Sequence, residues 1–305
     1  MKSSKYTLIS IVAIIAVMVL TNCKDSNKNN KITEAKTDNK LKITTPQSSP
    51  LAKIEQRVGL TDISVEYSRP GVKGRTIFGN LVPYGKTWRT GANANTKITF
   101  STDVTIDGKI LKAGSYGIYS IPNKDVWEVL FYSETNKRGV PKDWDESKVV
   151  LKTNVEAIGM PMNIETFTIT FNELTNSSAV MGLLWDQIFI GIKIEVPTDQ
   201  IVMGTIEKVM SSNPTSNDYY NAAIYYNQQD KDLQQANQWM EKAMSLIEKP
   251  TFWQLRQQSL IVAKMGDTKK AIEIAKKSLA LSKEAENDAY IKMNTESLKE
   301  WEAQL

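Results

Sequence analysis

Segments in which apolar and polar residues alternate are the feature that most constrains how this chain can fold. They recur between residues 51 and 196, separated by turn-forming residues at intervals of about ten positions. In Ile164–Phe171, for example, Phe167, Ile169 and Phe171 alternate with threonines. Because a period of two places successive side chains on opposite faces of a sheet, each segment predicts a half-buried β-strand.

These strands are predicted to form an antiparallel β-sandwich or a barrel-like sheet. Asp107-Gly108 is typical of a two-residue hairpin turn, and no helical segment of ten or more residues separates the strands. Many short strands joined by turns favour a sandwich or a barrel. Beyond residue 148 we predict four separate strands: Val149–Ile158, Ile164–Phe171, Ser178–Trp185 and Gln187–Val196.

The last third of the chain changes to helical periodicity. Val196-Pro197 ends the β region, and a first helix is predicted to end near Ser211, ahead of Pro214. Beyond Ser216, small residues recur at a spacing of about 35 positions. This pattern resembles tetratricopeptide repeats, in which stacked helix pairs form a concave surface. The positions that carry the resemblance are Ala236, Met240 and Ala243, aligned with Ala271, Ala275 and Ser278.

The helical repeats have two interpretations. One is a face that binds a protein or peptide partner through Tyr225, Asn227 and Gln254. The other is a helical bundle that caps the β region, because two repeats are fewer than the three that an independent array usually needs. The sequence leaves both open.

The N-terminal residues 1–22 are predicted to be a lipoprotein signal peptide. Their apolar run, Leu8–Leu20, is shorter than the roughly 20 residues that a membrane-spanning helix needs. Leu20-Thr21-Asn22-Cys23 resembles the lipobox of bacterial lipoproteins, and the resemblance implies lipidation of Cys23. The alternative is a signal-anchor helix. The lipid anchor predicts attachment to a membrane of the bacterial cell envelope, at the outer membrane and facing either the periplasm or the surface.

The expected organisation has three parts after the signal peptide. Residues 23–50 are rich in Asn, Lys, Ser and Thr and nearly free of aromatic residues, so we predict a disordered tether. A β-sandwich domain over residues 51–197 and a helical-repeat domain over residues 198–305 are expected to follow. The predicted fold class is therefore β followed by α.

Two features of the composition exclude whole classes of chemistry. The chain contains no histidine, which removes Ser-His-Asp and Cys-His catalysis and the usual zinc sites. Its one cysteine is Cys23, so a disulfide within the chain is also excluded. We predict no cofactor, no metal site and no catalytic residue. The net charge of +4 forms no basic run with interleaved aromatics, so no nucleic-acid partner is expected.

A stretch without hydrophobic periodicity, Val65–Asn93, concentrates cations among glycines, prolines and aromatics. It is predicted to be a long ordered loop between two strands, the kind of segment in which binding residues are often found. Its arginines suit carboxylate or phosphate groups, and its aromatic rings suit a sugar. The candidate ligand-binding residues are Arg69, Lys73, Arg75, Tyr84, Trp88, Arg89 and Asn93.

A structural role for the same residues is the alternative. The arginines would then pair with Glu66, Asp103 or backbone carbonyls and hold an irregular loop in place. Trp88 would close one end of the sandwich. The sequence does not decide between the two interpretations.

Three passages of the β region carry a resemblance to a known family. They read YSRPGVKGRTIFGNLVPYGKTWRTGAN, KITFSTDVTIDGKILKAGSYGIYSIP and WEVLFYS. Together they resemble the bacterial domain of unknown function 2911 family, over about Val58–Val196. The resemblance implies an exported β-rich domain, often found in lipoproteins and sometimes followed by helical repeats. It implies no assigned activity and no catalytic residues.

The preferred hypothesis is a non-enzymatic binding or scaffold module of the cell envelope. It would use the basic loop for an anionic or sugar ligand and the helical repeats for a protein partner. The alternative is a carboxylate-dependent hydrolase of envelope or extracellular carbohydrate, because a pair of carboxylates can hydrolyse glycosides without histidine. Its candidates are Glu66, Asp103, Asp107 and Glu128, and no spacing selects two of them.

Overall fold

The computed structural model describes residues 43–305, which form nine β-strands followed by six α-helices. The predicted signal peptide, Cys23 and most of the predicted tether lie outside the described residues. Within the described part of the chain, no helix is both long and apolar enough to cross a membrane. The predicted order of β followed by α is confirmed.

The strands and helices have the following bounds. The strands are β1 Leu51–Val58, β2 Thr61–Ser68, β3 Thr96–Phe100, β4 Val104–Ile106, β5 Lys109–Leu111, β6 Gly114–Ile121, β7 Val126–Tyr132, β8 Val149–Asn172 and β9 Ser178–Glu195. The helices are α1 Thr198–Met210, α2 Ser216–Gln228, α3 Leu233–Ser245, α4 Phe252–Lys264, α5 Thr268–Glu284 and α6 Asp288–Glu302.

The nine strands form one antiparallel sheet in the order β1-β2-β3-β6-β7-β8-β9-β4-β5. Within the described residues β1 and β5 are its two free edges. The sheet is therefore open, and the barrel-like alternative is not confirmed.

Two long strands replace the four that the sequence predicted after residue 148. The first half of β8 pairs with β7, and its second half pairs with β9. Register shifts occur between Gly159 and Ile164 and again between Ile164 and Thr168. Asp186, which pairs with Ile164, has a φ of 55°. The predicted breaks were wrong because these irregularities are bulges, which bend a strand without ending its pairing.

The sheet folds back on itself around one core. Tyr67 on β2 and Phe167 on β8 lie with their ring centroids 5.7 Å apart, and the Ile169 N–H donates to the Tyr67 hydroxyl at 3.0 Å. Three strands separate β2 from β8 in the sheet, a distance of about 20 Å if the sheet were flat. The two halves therefore face each other across a shared core, in which Trp127, Val129 and Phe131 of β7 are buried.

The six helices pack as sequential neighbours. α2 packs against α3, α4 against α5, and α6 against α5. The six residues that carry the repeat resemblance are buried, and so is Trp301 of α6. This arrangement is compatible with the tetratricopeptide resemblance, which stays a prediction.

The turn between β1 and β2 is expected to be sensitive to substitution, because it contacts the start of the helical region. Gly59 has a φ of 53°, and an added Cβ would lie 1.9 Å from Thr198 Oγ1 and 2.2 Å from the Asn176 carbonyl oxygen. Backbone strain and overpacking would act together in Gly59→Ala. We expect its free energy of unfolding, measured by urea denaturation, to fall by about 2 kcal/mol or more.

Gly108 provides a matched control in another hairpin. Its φ is 70°, and an added Cβ would meet nothing within 4 Å. Gly108→Ala therefore adds strain without a clash, and a loss of about 1 kcal/mol is expected. Equal losses in the two variants would show that the contact with Thr198 does not contribute.

Candidate functional site

Residues 69–95, between β2 and β3, contain most of the predicted basic loop and have neither helix nor regular strand. The first four residues of the predicted loop, Val65–Ser68, belong instead to β2, because they pair with β1. Isolated bridges attach it to the sheet, from Gly71 to Thr166 and from Trp88 to Ser120. The Trp88 N–H donates to the Ser120 carbonyl at 2.7 Å, and the Ser120 N–H donates back at 2.9 Å. These backbone hydrogen bonds give the loop a defined course.

A cavity of about 400 Å³ lies between the basic loop, the residues just before β1, and Trp185 of β9. We call it the basic cavity. It brings together most of the candidate ligand-binding residues, whereas Arg69 and Tyr84 lie outside its lining. No Asp or Glu is among the described residues that line it. The candidates that do line it are Lys73, Arg75, Trp88, Arg89 and Asn93.

Arg89 carries a positive charge for which the described residues provide no compensation. Its side chain is partly buried, and its Nε is buried without a hydrogen-bond partner among residues 43–305. Burial lowers the pKa of the Arg89 guanidinium, and no acidic neighbour in that part of the chain offsets the effect. Removing a charge from water without a partner costs free energy, so the partly buried Arg89 lowers the stability of the protein unless a partner is supplied.

Arg75 and Lys73 are held near the cavity by hydrogen bonds to backbone carbonyls and to Glu165. Arg75 Nε donates to the Val72 carbonyl at 3.0 Å, and Nη2 donates to the Gly71 carbonyl at 2.5 Å. The Lys73 backbone N–H donates to Glu165 Oε1 at 2.9 Å, while the Lys73 side chain is exposed. Glu165 thus contacts the loop, but it is not part of the lining.

Arg69 has the internal partners that a structural role requires. Its Nε donates to the Phe167 carbonyl at 3.0 Å, and its Nη2 donates to Thr168 Oγ1 at 2.7 Å. These bonds join the start of the basic loop to β8. The acidic residues suggested as arginine partners, Glu66 and Asp103, pair instead with lysines, at 3.1 Å and 2.9 Å respectively.

Of the two aromatic candidates, Trp88 is buried and Tyr84 is exposed but lies outside the basic cavity. Trp88 is only 8% exposed and stacks on Trp185, with 5.8 Å between ring centroids and 17° between planes. Phe78, Trp127 and Phe167 surround it edge-on. Tyr84 is 40% exposed and packs against Gly79, outside the cavity. The geometry supports the interpretation of Trp88 as part of the core.

Trp185 lines the cavity although the candidate residues did not include it. Its side chain is 2% exposed, and its Nε1 has no hydrogen-bond partner in the described part of the chain. The available signal was the alternation of β9, which places Met181, Leu183 and Trp185 on one face. That pattern predicts burial, but it does not predict which loop covers the ring.

Asn93 connects the cavity to the end of the predicted tether. Its φ is 57°, and its Nδ2 lies 3.0 Å from Gln47 Oε1, 3.0 Å from the Ser49 carbonyl and 3.2 Å from Ser68 Oγ. Ser48 and Ser49 line the cavity. The last residues before β1 therefore form one wall of the cavity.

The remaining carboxylate candidates also face lysines. Asp107 Oδ2 lies 3.8 Å from Lys109 Nζ, and Glu128 Oε2 lies 3.4 Å from Lys152 Nζ. These four residues line a cavity of about 270 Å³. A larger cavity, about 640 Å³, follows β8 and β9 and contains no buried side-chain polar atom without a partner. The hydrolase alternative stays a prediction.

Two of the three residues proposed for the helical binding face have structural contacts. The Tyr225 hydroxyl donates to Asp199 Oδ1 at 2.9 Å, and burial together with this carboxylate raises the pKa of Tyr225 to about 12. Gln254 Oε1 accepts from the Thr251 N–H at 2.9 Å, which caps α4. The protein-partner hypothesis is therefore not supported by these two side chains and stays a prediction.

The fold and the cavity define a class: an antiparallel β domain with a cationic cavity, followed by packed helices. Residues 49–194, just under half of the chain, match the family described as "Protein of unknown function (DUF2911)". This match supports the resemblance to the same family that the sequence showed over about Val58–Val196. Comparison with curated proteins and with solved structures finds no match. Among residues 43–305 no group of three or more acidic, cysteine or histidine side chains has the arrangement of a metal site.

Proposed function

We propose that this chain is a non-enzymatic binding module whose basic cavity takes a small anionic ligand. The observation that carries the proposal is the partly buried Arg89, whose charge has no partner among the described residues. A protein holds such a charge at a cost in stability. An anion in the adjoining cavity would compensate it, and Lys73 and Arg75 would add to the attraction.

The cellular setting of the proposal is the bacterial envelope. The lipobox-like sequence ending in Cys23 and the short apolar run before it support a lipid anchor. The anchored β domain would then present the basic cavity to ligands in the periplasm or at the surface. The helical region would serve as a scaffold or contact a protein partner.

A thermal-shift series on the full chain in non-ionic detergent tests the binding proposal. The wild type, Arg89→Met and Lys86→Ala would be melted with carboxylates, phosphates and neutral sugars. Lys86 is the matched control, because it is an exposed cation of the same loop outside the cavity lining. A ligand at a hundred times its Kd stabilises a protein by about 2.7 kcal/mol, which a melting curve detects.

The proposal requires that an anion stabilises the wild type and Lys86→Ala but not Arg89→Met. If an anion stabilised the wild type, Arg89→Met and Lys86→Ala to the same extent, it would bind outside the basic cavity. If no anion raises the melting temperature of the wild type, the basic cavity is not an anion site.

The lipid anchor gives a separate prediction. Cys23→Ser removes the sulfur that would be acylated, so we expect complete loss of label from an alkyne palmitate supplied to growing cells. The protein should also move from the membrane to the soluble fraction, because acyl chains contribute about 0.8 kcal/mol per buried methylene. Unchanged labelling would rule out Cys23 as the lipidation site.

A further inference from the structure

We infer that β1 is an interaction surface through which two copies of this chain pair, strand against strand, into a symmetric dimer. Within the described residues β1 is one of the two free edges of the sheet, and its outer side has no strand partner there. The inference does not depend on the basic cavity. Three features of β1 lead to it: the regular edge, the direction of its free backbone groups, and the order of its charges.

The edge that β1 presents is long and regular. It pairs with β2 over all eight of its residues without a register shift, and it contains no proline. Its four less exposed side chains are uncharged: Ala52, Ile54, Gln56 and Val58. Edge strands are usually protected from pairing by prolines, bulges, inward-pointing charges or short length. The other edge, β5, has only three residues, whereas β1 lacks each of these protections.

The free backbone groups of β1 belong to alternate residues. The Arg69 N–H donates to the Pro50 carbonyl at 2.9 Å, so these two residues form a hydrogen-bonded pair just before the strand begins. Because such pairs alternate along an antiparallel ladder, the even-numbered residues of β1 direct their N–H and C=O groups to β2. The residues that direct theirs to the free edge are Leu51, Lys53, Glu55 and Arg57.

The charge order of β1 selects one antiparallel register between two copies. When Ile54 lies opposite Ile54 of the second copy, Lys53 lies opposite Glu55. Leu51 then lies opposite Arg57, and each of the four outward residues exchanges its backbone hydrogen bonds with the second copy. A shift of two residues would place Lys53 opposite Lys53 or Glu55 opposite Glu55. Like charges directly opposite each other are destabilising, so these registers are disfavoured.

The selected register also continues the charge pattern of the existing hairpin. Lys53 lies opposite Glu66 of β2, so in the dimer it would lie between Glu66 and Glu55 of the second copy. In the single chain Lys53 Nζ lies 2.5 Å from Glu55 Oε1, and more than half of each side chain is exposed. Exposed ion pairs contribute little to stability. The charges therefore decide the register, while the backbone hydrogen bonds and the burial of Ile54 stabilise the dimer.

Two cysteine variants test the register on the full chain in non-ionic detergent. Both carry Cys23→Ser, so that the added thiol is the only one in the chain. In the dimer Ile54 meets its own copy in a non-hydrogen-bonded pair, with Cα atoms about 4.5 Å apart, which suits a disulfide. We expect Ile54→Cys to form a covalent dimer on mild oxidation. Ala52→Cys is the matched control on the same face, because Ala52 would lie about 13 Å from its own copy.

Charge reversal at exposed positions provides a second measurement, by sedimentation equilibrium in the same Cys23→Ser background. Lys53→Glu and Glu55→Lys each place like charges opposite each other twice, so each should weaken dimerisation about tenfold or more. An equimolar mixture of the two variants should dimerise like the parent protein, because every facing pair then joins opposite charges. Melting curves of the single variants confirm that the fold is intact.

Several outcomes would overturn the inference. One is that Ile54→Cys forms no covalent dimer, or that Ala52→Cys forms as much. Another is that the parent protein sediments as a monomer at every concentration. A third is that the mixture of charge variants associates no better than its components. A covalent dimer of Ile54→Cys alone, together with recovery in the mixture, establishes the pairing of β1 with β1.

Discussion

Arg89→Met is expected to abolish stabilisation by the anionic ligand while leaving the unliganded protein at least as stable as the wild type. Methionine keeps an apolar stem of similar length and removes a charge that the described residues do not compensate. At a hundred times the Kd, the wild type should gain about 2.7 kcal/mol and the variant essentially none. Urea denaturation with and without ligand measures both quantities in one experiment.

Arg69→Met is the contrasting variant in the same loop. Arg69 donates to the Phe167 carbonyl and to Thr168 Oγ1, so the substitution removes both bonds and unpairs the acceptors. We expect a loss of about 1–3 kcal/mol in unliganded stability, with ligand stabilisation retained. If Arg89→Met loses as much stability as Arg69→Met, then Arg89 is also structural and the basic cavity loses its central observation.

Trp88→Ala is expected to produce the largest loss of stability of the variants considered, about 3–5 kcal/mol. Trp88 is 8% exposed, stacks on Trp185, and touches three further rings edge-on. Its removal would leave a void that rigid neighbouring rings cannot close, and it would free the Gly91 carbonyl that accepts from Trp88 Nε1 at 3.1 Å. The urea midpoint of the full chain measures the effect.

Trp253→Ala serves as its control. Trp253 is 44% exposed on α4, so removing its side chain should cost less than about 1 kcal/mol. If Trp88→Ala lost no more stability than Trp253→Ala, the basic loop would not be packed into the core. A sugar-stacking role for Trp88 would then become tenable again.

The sequence was sufficient for the features that depend on local chemistry. Period-two alternation located the strands, because each pattern reports which face of its own strand is buried. Positive φ values at Asp107 and Gly108 agree with the hairpin turn that this Asp-Gly pair predicted. The boundaries within β8 and β9 were wrong because Gly159 and Asp186 resemble turn residues locally. Whether a chain turns or bulges there depends on the partner strand.

The candidate site shows the limit of the same approach. From the sequence alone, Arg69, Arg75 and Arg89 were equivalent candidates, three cations of one irregular loop. Only the tertiary structure distinguishes them, because each guanidinium finds its acceptors in a different part of the fold. Arg69 bonds to Phe167, 98 residues further along the chain, and Arg75 bonds to carbonyls three and four residues away. Arg89 Nε meets no acceptor among the described residues, and the residue lines the basic cavity. Residue type therefore determined that the loop is cationic, and three-dimensional packing decided which of its arginines finds partners within the described part of the fold.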